Sequence, residues 1–396
     1  MSTVRLRAGH VQPVWAGHPW VFAQAIESVD GAPAPGDVVT VVDPRGNFLG
    51  RGYWSPSSAI PVRIVTRDPG DPLDAASVGR RVEAAAAWRR AWLGLPSDET
   101  TGYRIVHGEG DGLPGVVADV YGETLSVQFT TIGAKRRQEE IVGHLVRVTG
   151  CRAVVETSSE RVARLEGFEP HTGVLRGPDV ASLEFRERGL ALSIPLEVAQ
   201  KTGYYFDQRD NRARIEDLAR DRTVLDAFSY VGAFALFAAR GGARRIVAID
   251  SSPAAIATGA ALAARAGYGD RIEFVRADVR RALADMAAAG ERFDVVVLDP
   301  PKLAPTVKDL EAGRKAYRRL NAAGLRLVRD GGLLVSCSCS AAMRQDDLQR
   351  TIGLAARDAG CHVAVLWVGQ QAPDHPVLAS FPEGRYLKCV VARVDR

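Results

Sequence analysis

Cysteine is scarce in this chain. Five residues, an odd number scattered along 396, make no disulfide framework and point to a reducing compartment. Only Cys337 and Cys339 lie close together, and no His/Cys ligand set surrounds them, so no metal is expected. No uninterrupted apolar run is long enough to span a bilayer, and the opening MSTVRLRAGH lacks a signal-peptide core. A cytoplasmic protein with no membrane partner is the expectation. The GxGxxG dinucleotide fingerprint is missing as well, since the turn Ala227–Gly232 keeps only Gly232. With no pyrophosphate to cradle, one glycine is enough, which favours S-adenosylmethionine (SAM) over NAD.

What is present is a soluble-protein composition, 46% hydrophobic, with a net charge of +4 that permits a polyanionic partner without demanding one. The length implies two or three domains. The chain is organised around Thr223–Asp250, which reads as strand, tight turn, helix, strand. Such apolar runs are buried on both faces in a parallel sheet, and ligands sit beyond the carboxyl ends of its strands. Asp226 closes the first run, Phe228 and Gly232 lie in the turn, and Asp250 with Ser251 follows the second run. An acid at that place suits a ribose diol. Asp278 and Val279 would bring a carboxylate and a backbone N–H to the adenine edge.

Upstream, Val4–Arg67 shows short strands and turns, with Val38–Val42 and Phe48–Tyr53 as a hairpin. This predicts a small β-barrel. Its Gly17-His18-Pro19-Trp20-Val21-Phe22 and Gly36-Asp37 turn resemble the PUA domain, an RNA-binding module. Arg5, Arg7, His18, Trp20 and Arg51 are then candidate RNA contacts. The competing reading puts Trp20 and Phe22 in the core. A Pro/Gly/Asp-rich linker at Asp68–Pro72 precedes a helix Ala75–Leu93, a strand Thr124–Thr130, a helix Lys135–Val148 and a strand Ala153–Glu156. Glu109 and Asp111 read as turn chemistry, and Lys135-Arg136-Arg137 as a solvated face.

Gln200–Arg212 sets three consecutive aromatics between charged clusters, which suits a loop closing over a flat, charged ligand. Tyr205, Asp207 and Arg209 are its candidate cofactor contacts. Further on, Asp294–Leu298 is a strand ending in Asp299-Pro300-Pro301-Lys302, where the prolines fix the loop and Asp299 enters the crevice. Leu333–Val335 is the neighbouring strand and runs into Ser336-Cys337-Ser338-Cys339-Ser340, so Cys339 falls beside Asp299. Alternation gives both cysteines the same facing and does not choose between them. Strands His362–Val368 and Tyr386–Arg393 complete the sheet, joined through Asp374-His375-Pro376.

Together KTGYYFDQRDNR, LDAFSYVGAFA, LDPPKLAP, SCSCSAAM, PDHP and FPEGRYLK resemble the bacterial PUA-containing 23S rRNA (cytosine-5)-methyltransferases, in the family's order and over nearly the whole chain. The resemblance implies a PUA-like RNA-binding β-barrel over 1–72, a central α+β domain over 73–180 and a SAM-dependent methyltransferase domain over 181–396. The last is a class I, Rossmann-like α/β fold, a mostly parallel seven-stranded sheet with an antiparallel last strand. It implies Cys339 as the nucleophile that adds to C6 of cytosine. Asp299 would hold the base and line the cofactor site, and Lys302 would lie near RNA or thiol. The implied partner is 23S rRNA or a large-subunit assembly intermediate, and members are often homodimers. Two other readings stay open: a nitrogen-directed rRNA methyltransferase, on guanine N7 or an exocyclic amine, and a non-catalytic RNA-binding assembly factor. DPPK keeps the first alive, because Lys302 stands where a stacking aromatic would be in the amino-group enzymes.

Overall fold

Six short strands open the chain: β1 (Ser2–Leu6), β2 (Trp20–Val21), β3 (Ile26–Asp30), β4 (Val38–Val42), β5 (Phe48–Trp54) and β6 (Val62–Thr66). The structure, a computed structural model, describes residues 2–396. The strands pair in the order β2-β6-β5-β4-β1-β3, antiparallel except for β1 against β4. Alternation sets the inner face: Val62, Ile64 and Thr66 of β6 are buried while Arg63 and Val65 are less so. Val62 and Ile64 join Val4, Leu6, Val21, Val39 and Val41 in one apolar cluster. At Gly52 an added Cβ would fall 2.1 Å from the Arg63 carbonyl oxygen, so only glycine permits the close β5–β6 approach.

The helix Ala75–Leu93 has the predicted bounds because both ends are capped. Asp74 accepts a hydrogen bond from the Ser77 N–H, and Gly94 ends the helix at φ 61°. Five strands follow: β7 (Gly102–His107), β8 (Val116–Tyr121), β9 (Thr124–Phe129), β10 (Ala153–Thr157) and β11 (Thr172–Arg176). They lie side by side as β11-β10-β9-β8-β7. The expected helix Lys135–Val148 is two, Ile132–Lys135 and Gln138–Thr149, broken at Arg136-Arg137. Of the basic run there, Arg136 is exposed as expected, whereas Lys135 and Arg137 are partly buried. Lys135 pairs with the buried Glu156 at 2.7 Å, Arg136 meets Asp37 at 3.1 Å, and the Arg137 guanidinium lies 3.9 Å from the Tyr53 ring centroid.

The chain divides into two compact units. The first runs to Phe206 and takes back Pro373–Gly384; the second is Asp207–Ala372 with Arg385–Arg396. The hairpin β12 (Ser182–Glu187) and β13 (Leu190–Pro195) belongs to the first. So does Asp374-His375: the Asp374 carboxylate accepts from the Arg104 N–H at 2.9 Å and from His375 Nδ1 at 2.9 Å. His375 is therefore buried and held by Asp374.

The second unit holds seven strands: β14 (Thr223–Ala227), β15 (Arg245–Asp250), β16 (Ile272–Arg276), β17 (Phe293–Leu298), β18 (Val328–Ser338), β19 (His362–Gly369) and β20 (Lys388–Asp395). Their order is β16-β15-β14-β17-β18-β20-β19, and β20 runs antiparallel to both neighbours. The expected Rossmann-like sheet with its reversed last strand is thus present. Helices Ala233–Arg240, Pro253–Arg265, Val279–Ala288, Leu310–Leu327 and Gln345–Ala359 alternate with the strands. Phe293, Val296, Leu298, Tyr317, Leu325 and Ile352 share one core, each at most 1% exposed. Fully burying a side chain of this size contributes about 1.5–3 kcal/mol. The order turns back between β14 and β17, and that is where a doubly wound sheet opens a crevice. Among the described residues no helix is long and apolar enough to cross a membrane.

Candidate active site

The turn after β14 is tightly wound. Phe228, Tyr230 and Gly232 all have positive φ, at 64°, 52° and 72°. Two non-glycine residues in the left-handed region are strained and must be held by their surroundings. The hold is visible: the Ser229 N–H donates to the Ile249 carbonyl at 2.9 Å, and the Tyr230 N–H to Asp250 Oδ2 at 2.9 Å. Asp250 Oδ1 takes the Ser252 N–H at 2.9 Å. At Gly232 an added Cβ would lie 2.7 Å from the Phe274 ring, so packing as well as φ demands glycine there.

Asp226 sits fully buried at the level of Val297 on one side and Ala248 on the other. Its Oδ2 accepts from the Ala235 N–H at 3.0 Å, whereas Oδ1 has no hydrogen-bond partner. Burial pushes its carboxyl up to about 7, with the charges of Asp299 and Asp250 acting in the same direction. The buried Ser229 hydroxyl is also without a partner. Unfilled polar atoms beside a strained turn fit a polar ligand such as SAM, whose groups would complete them. Among the described residues no group of His, Cys, Asp or Glu is arranged to hold a metal.

Across the crevice, Asp299 follows β17 and accepts from Gln208 Nε2 at 3.0 Å. The two cysteines at the end of the neighbouring strand β18 differ sharply. Cys337 lies inside β18, 0% exposed, directly opposite Cys389 of β20. Its hydrogen bond with Cys389, and then burial, push its thiol well above the ordinary value. Cys339 stands past the end of the strand and is partly exposed. Strand alternation fails to equate the two because the strand stops at Ser338.

A further residue escaped sequence reasoning. Lys388 is 4% exposed, and its Nζ donates to the carbonyls of Ser340 at 2.7 Å and Tyr386 at 2.8 Å. Burial brings its ammonium down to about 8, against an opposing contribution from Cys339. The FPEGRYLK motif contained it, but nothing local distinguished it from a surface lysine. By contrast, Lys302 is exposed.

The other predicted residues are dispersed. Asp278 caps the helix Val279–Ala288 through the Arg281 N–H at 3.0 Å, with Val279 buried behind it, and Ser251 is exposed. Asp207 and Arg209 are buried in the second unit, where Tyr386 donates to Asp207 Oδ2 at 2.7 Å. Tyr205 belongs to the first unit and donates to Gln200 Oε1 at 2.6 Å, under the Lys201 ammonium. Of the candidate RNA contacts, His18 and Trp20 are brought together, ring centroids 6.1 Å apart, and Phe381 lies 4.6 Å from Trp20. Trp20 donates to Glu109 at 2.7 Å, and His18 Nε2 lies 3.3 Å from Glu383. Arg5 donates to the Pro44 carbonyl at 3.3 Å and Arg51 to the Pro69 carbonyl at 3.0 Å.

Known proteins share this layout. Residues 4–67 match the PUA-like domain and residues 104–378 the S-adenosylmethionine-dependent methyltransferase family. The chain is 37% identical to the ribosomal RNA large subunit methyltransferase I of Alteromonas mediterranea, covering 95% of each chain. It is 38% identical to that of Shewanella frigidimarina, covering 99% of each. In fold it follows a SAM-dependent methyltransferase from Streptococcus mutans, with a TM-score of 0.84, 20% identity and coverage of 99% and 100%. A methyltransferase solved with SAH gives a TM-score of 0.85 at 21% identity, covering 99% of this chain and all of that one. The chain depends on SAM and belongs to the S-adenosylmethionine-dependent methyltransferases with a PUA-like domain, in the ribosomal RNA large subunit methyltransferase I family.

Proposed function

We propose that the protein methylates C5 of a cytosine in large-subunit ribosomal RNA, in the cytoplasm, through a covalent bond from Cys339 to C6. The observation that carries this reading is the contrast between the thiols. Cys339 is partly exposed beyond the strand end, whereas Cys337 is sealed against Cys389. The relatives' names supply the substrate class, and the PUA-like module suits an RNA partner.

The chemistry needs a thiolate because C5 of cytosine is a weak nucleophile. The Cys339 sulfur bonds to C6, and the electron pair of the C5–C6 double bond moves so that C5 becomes an enamine carbon. Asp299 holds the amino group or N3 while charge develops on the ring. SAM, when bound, supplies the methyl group as a sulfonium electrophile. A base then takes the proton from C5, the C6–S bond breaks, and the thiolate is restored. Asp250 would hold the ribose diol of SAM. Phe228 and Gly232 of the strained turn, with Asp226, Ser251, Asp278 and Val279, would border its adenosine, and Asp207 and Arg209 its polar ends. His18, Trp20, Arg5, Arg51 and Lys302 are the RNA contacts of this reading, and 1–72, 73–180 and 181–396 its three divisions. A target base within RNA structure would have to be unstacked to reach the sulfur.

The test is incubation of wild type and Cys339→Ala with labelled SAM and undermethylated 23S rRNA, then identification of the nucleoside by mass spectrometry. 5-Methylcytosine from the wild type alone is the expected result. A methylated purine, or equal turnover by both proteins, would transfer the case to a nitrogen-directed enzyme, with Cys339 merely packed.

A further inference from the structure

Lys388 is a buried cation without a carboxylate. Its hydrogen-bond partners, the carbonyls of Ser340 and Tyr386, are neutral, and they occupy two of the three N–H donors of an ammonium. Buried charges in folded proteins are paired. The anion that completes this one has to come from a group beside it. Register identifies the neighbourhood: Lys388 is the ladder partner of Ser338, and its Nζ reaches Ser340, so the side chain spans the residue between them. That residue is Cys339, and it is the titratable group whose charge acts on Lys388.

Resting on the cytosine-5 reading, we propose that Lys388 is a positioning residue for methyl transfer: its ammonium fixes the backbone around Cys339 and keeps the sulfur as the thiolate. The proton lost by the thiol goes to solvent, and the ammonium acts on the sulfur through its charge. Around the pair stand Asp299 after β17, Tyr317 from the helix Leu310–Leu327, Cys337 in β18 and Cys389 in β20. Tyr317 lies close enough to feel Cys339 and Asp299, and burial first holds its phenol up to about 12, so it stays neutral. Cys337 stays protonated, held so by Cys389 and by burial. Asp299 disfavours a second anion nearby, and none of these four groups is a cation. Lys388 alone among the five favours the thiolate.

The test reads the thiol directly and needs no RNA. The full chain is treated with iodoacetamide between about pH 5 and pH 10, and alkylation of the Cys339 peptide is followed by mass spectrometry. The wild-type midpoint should fall below the ordinary thiol value of about 8.5. Lys388→Met should raise it by about one unit or more, cutting alkylation at neutral pH roughly tenfold, while Lys388→Arg, which keeps the charge, stays near wild type. SAM affinity of both variants should be unchanged, and methyl transfer should fall in kcat for Lys388→Met. An unshifted midpoint in a Lys388→Met protein that binds SAM overturns the proposal. So does a wild-type midpoint at or above about 8.5, which decides the matter even when Lys388→Met does not fold. Failure of the parent reading looks different: Cys339→Ala would then turn over normally, whatever Lys388 does to the alkylation curve.

Discussion

Buried charges are handled in opposite ways in the two units. In the first unit several buried acids meet a cation directly. Arg89 forks onto Asp111 at 2.8 and 2.9 Å, Arg104 onto Asp119 at 2.6 and 2.9 Å, and Lys135 onto Glu156. In the second, Asp226 and Asp250 at the strand ends accept backbone N–H groups, and the Lys388 cation meets only carbonyls. Paired charges specify and stabilise a fold. Incompletely compensated ones beside a crevice are what a cofactor and a reaction use, and the protein carries their cost in the ligand-free state.

The sharpest way to break the comparison is to unpair the first unit. Arg89 is fully buried and also holds the Asp374 carbonyl at 2.7 Å, so Arg89→Met strands Asp111 without its cation. The expected loss is about 3–5 kcal/mol of stability. Thermal unfolding checks it, and Cys339 alkylation below the transition should not change. A loss under about 1 kcal/mol would mean that these pairs matter no more than surface ones.

The same logic run on the second unit predicts the opposite sign. Asp226 ionises near 7 in the folded protein and near 4 when unfolded. Between those values the folded state keeps a proton that the unfolded state has lost. Stability therefore falls as pH rises from about 4 through 7 and levels off above. Asp226→Asn cannot ionise and keeps an acceptor for the Ala235 N–H. Without SAM it should match wild type near pH 4 and exceed it at pH 8, by up to roughly 4 kcal/mol for a shift of about three units. Urea unfolding at the two pH values measures the difference. Equal stability at pH 8 would mean that Asp226 ionises without cost.

Much of this arrangement is legible in the order of residues alone. Capping residues gave the helices Ala75–Leu93 and Gln345–Ala359 their limits, the latter ended by Gly360 at φ 66°. Apolar runs ending in Asp226, Asp250 and Asp299 marked the crevice, because strand periodicity and terminal acids are local signals. What stayed hidden depends on distant partners. The side chains of Arg136 and Arg137 at the helix break are held by Asp37, Gly36 and Tyr53, about a hundred residues away in sequence. His375 is buried because Arg104 and Arg89 claim Asp374. Lys388 became visible only when the β18–β20 register set it beside Cys339.

The smallest predicted effect separates the two thiols. Cys337 is fully buried in a strand that pairs on both sides, so Cys337→Ala removes one sulfur from a packed site. Deleting so small an apolar group costs about 1 kcal/mol. The hydrogen bond with Cys389 goes too, but a thiol is a weak donor and the remaining Cys389 sulfur tolerates an apolar neighbour. Methyl transfer should stay within about threefold of wild type, because the strand carrying Cys339 keeps its ladder and Lys388 keeps the Ser340 carbonyl. A comparable collapse of turnover in Cys337→Ala and Cys339→Ala, with both proteins binding SAM, would mean that exposure had misassigned the nucleophile. Near-normal turnover by Cys337→Ala and none by Cys339→Ala would tie the reaction to the thiol that lies one residue beyond the strand.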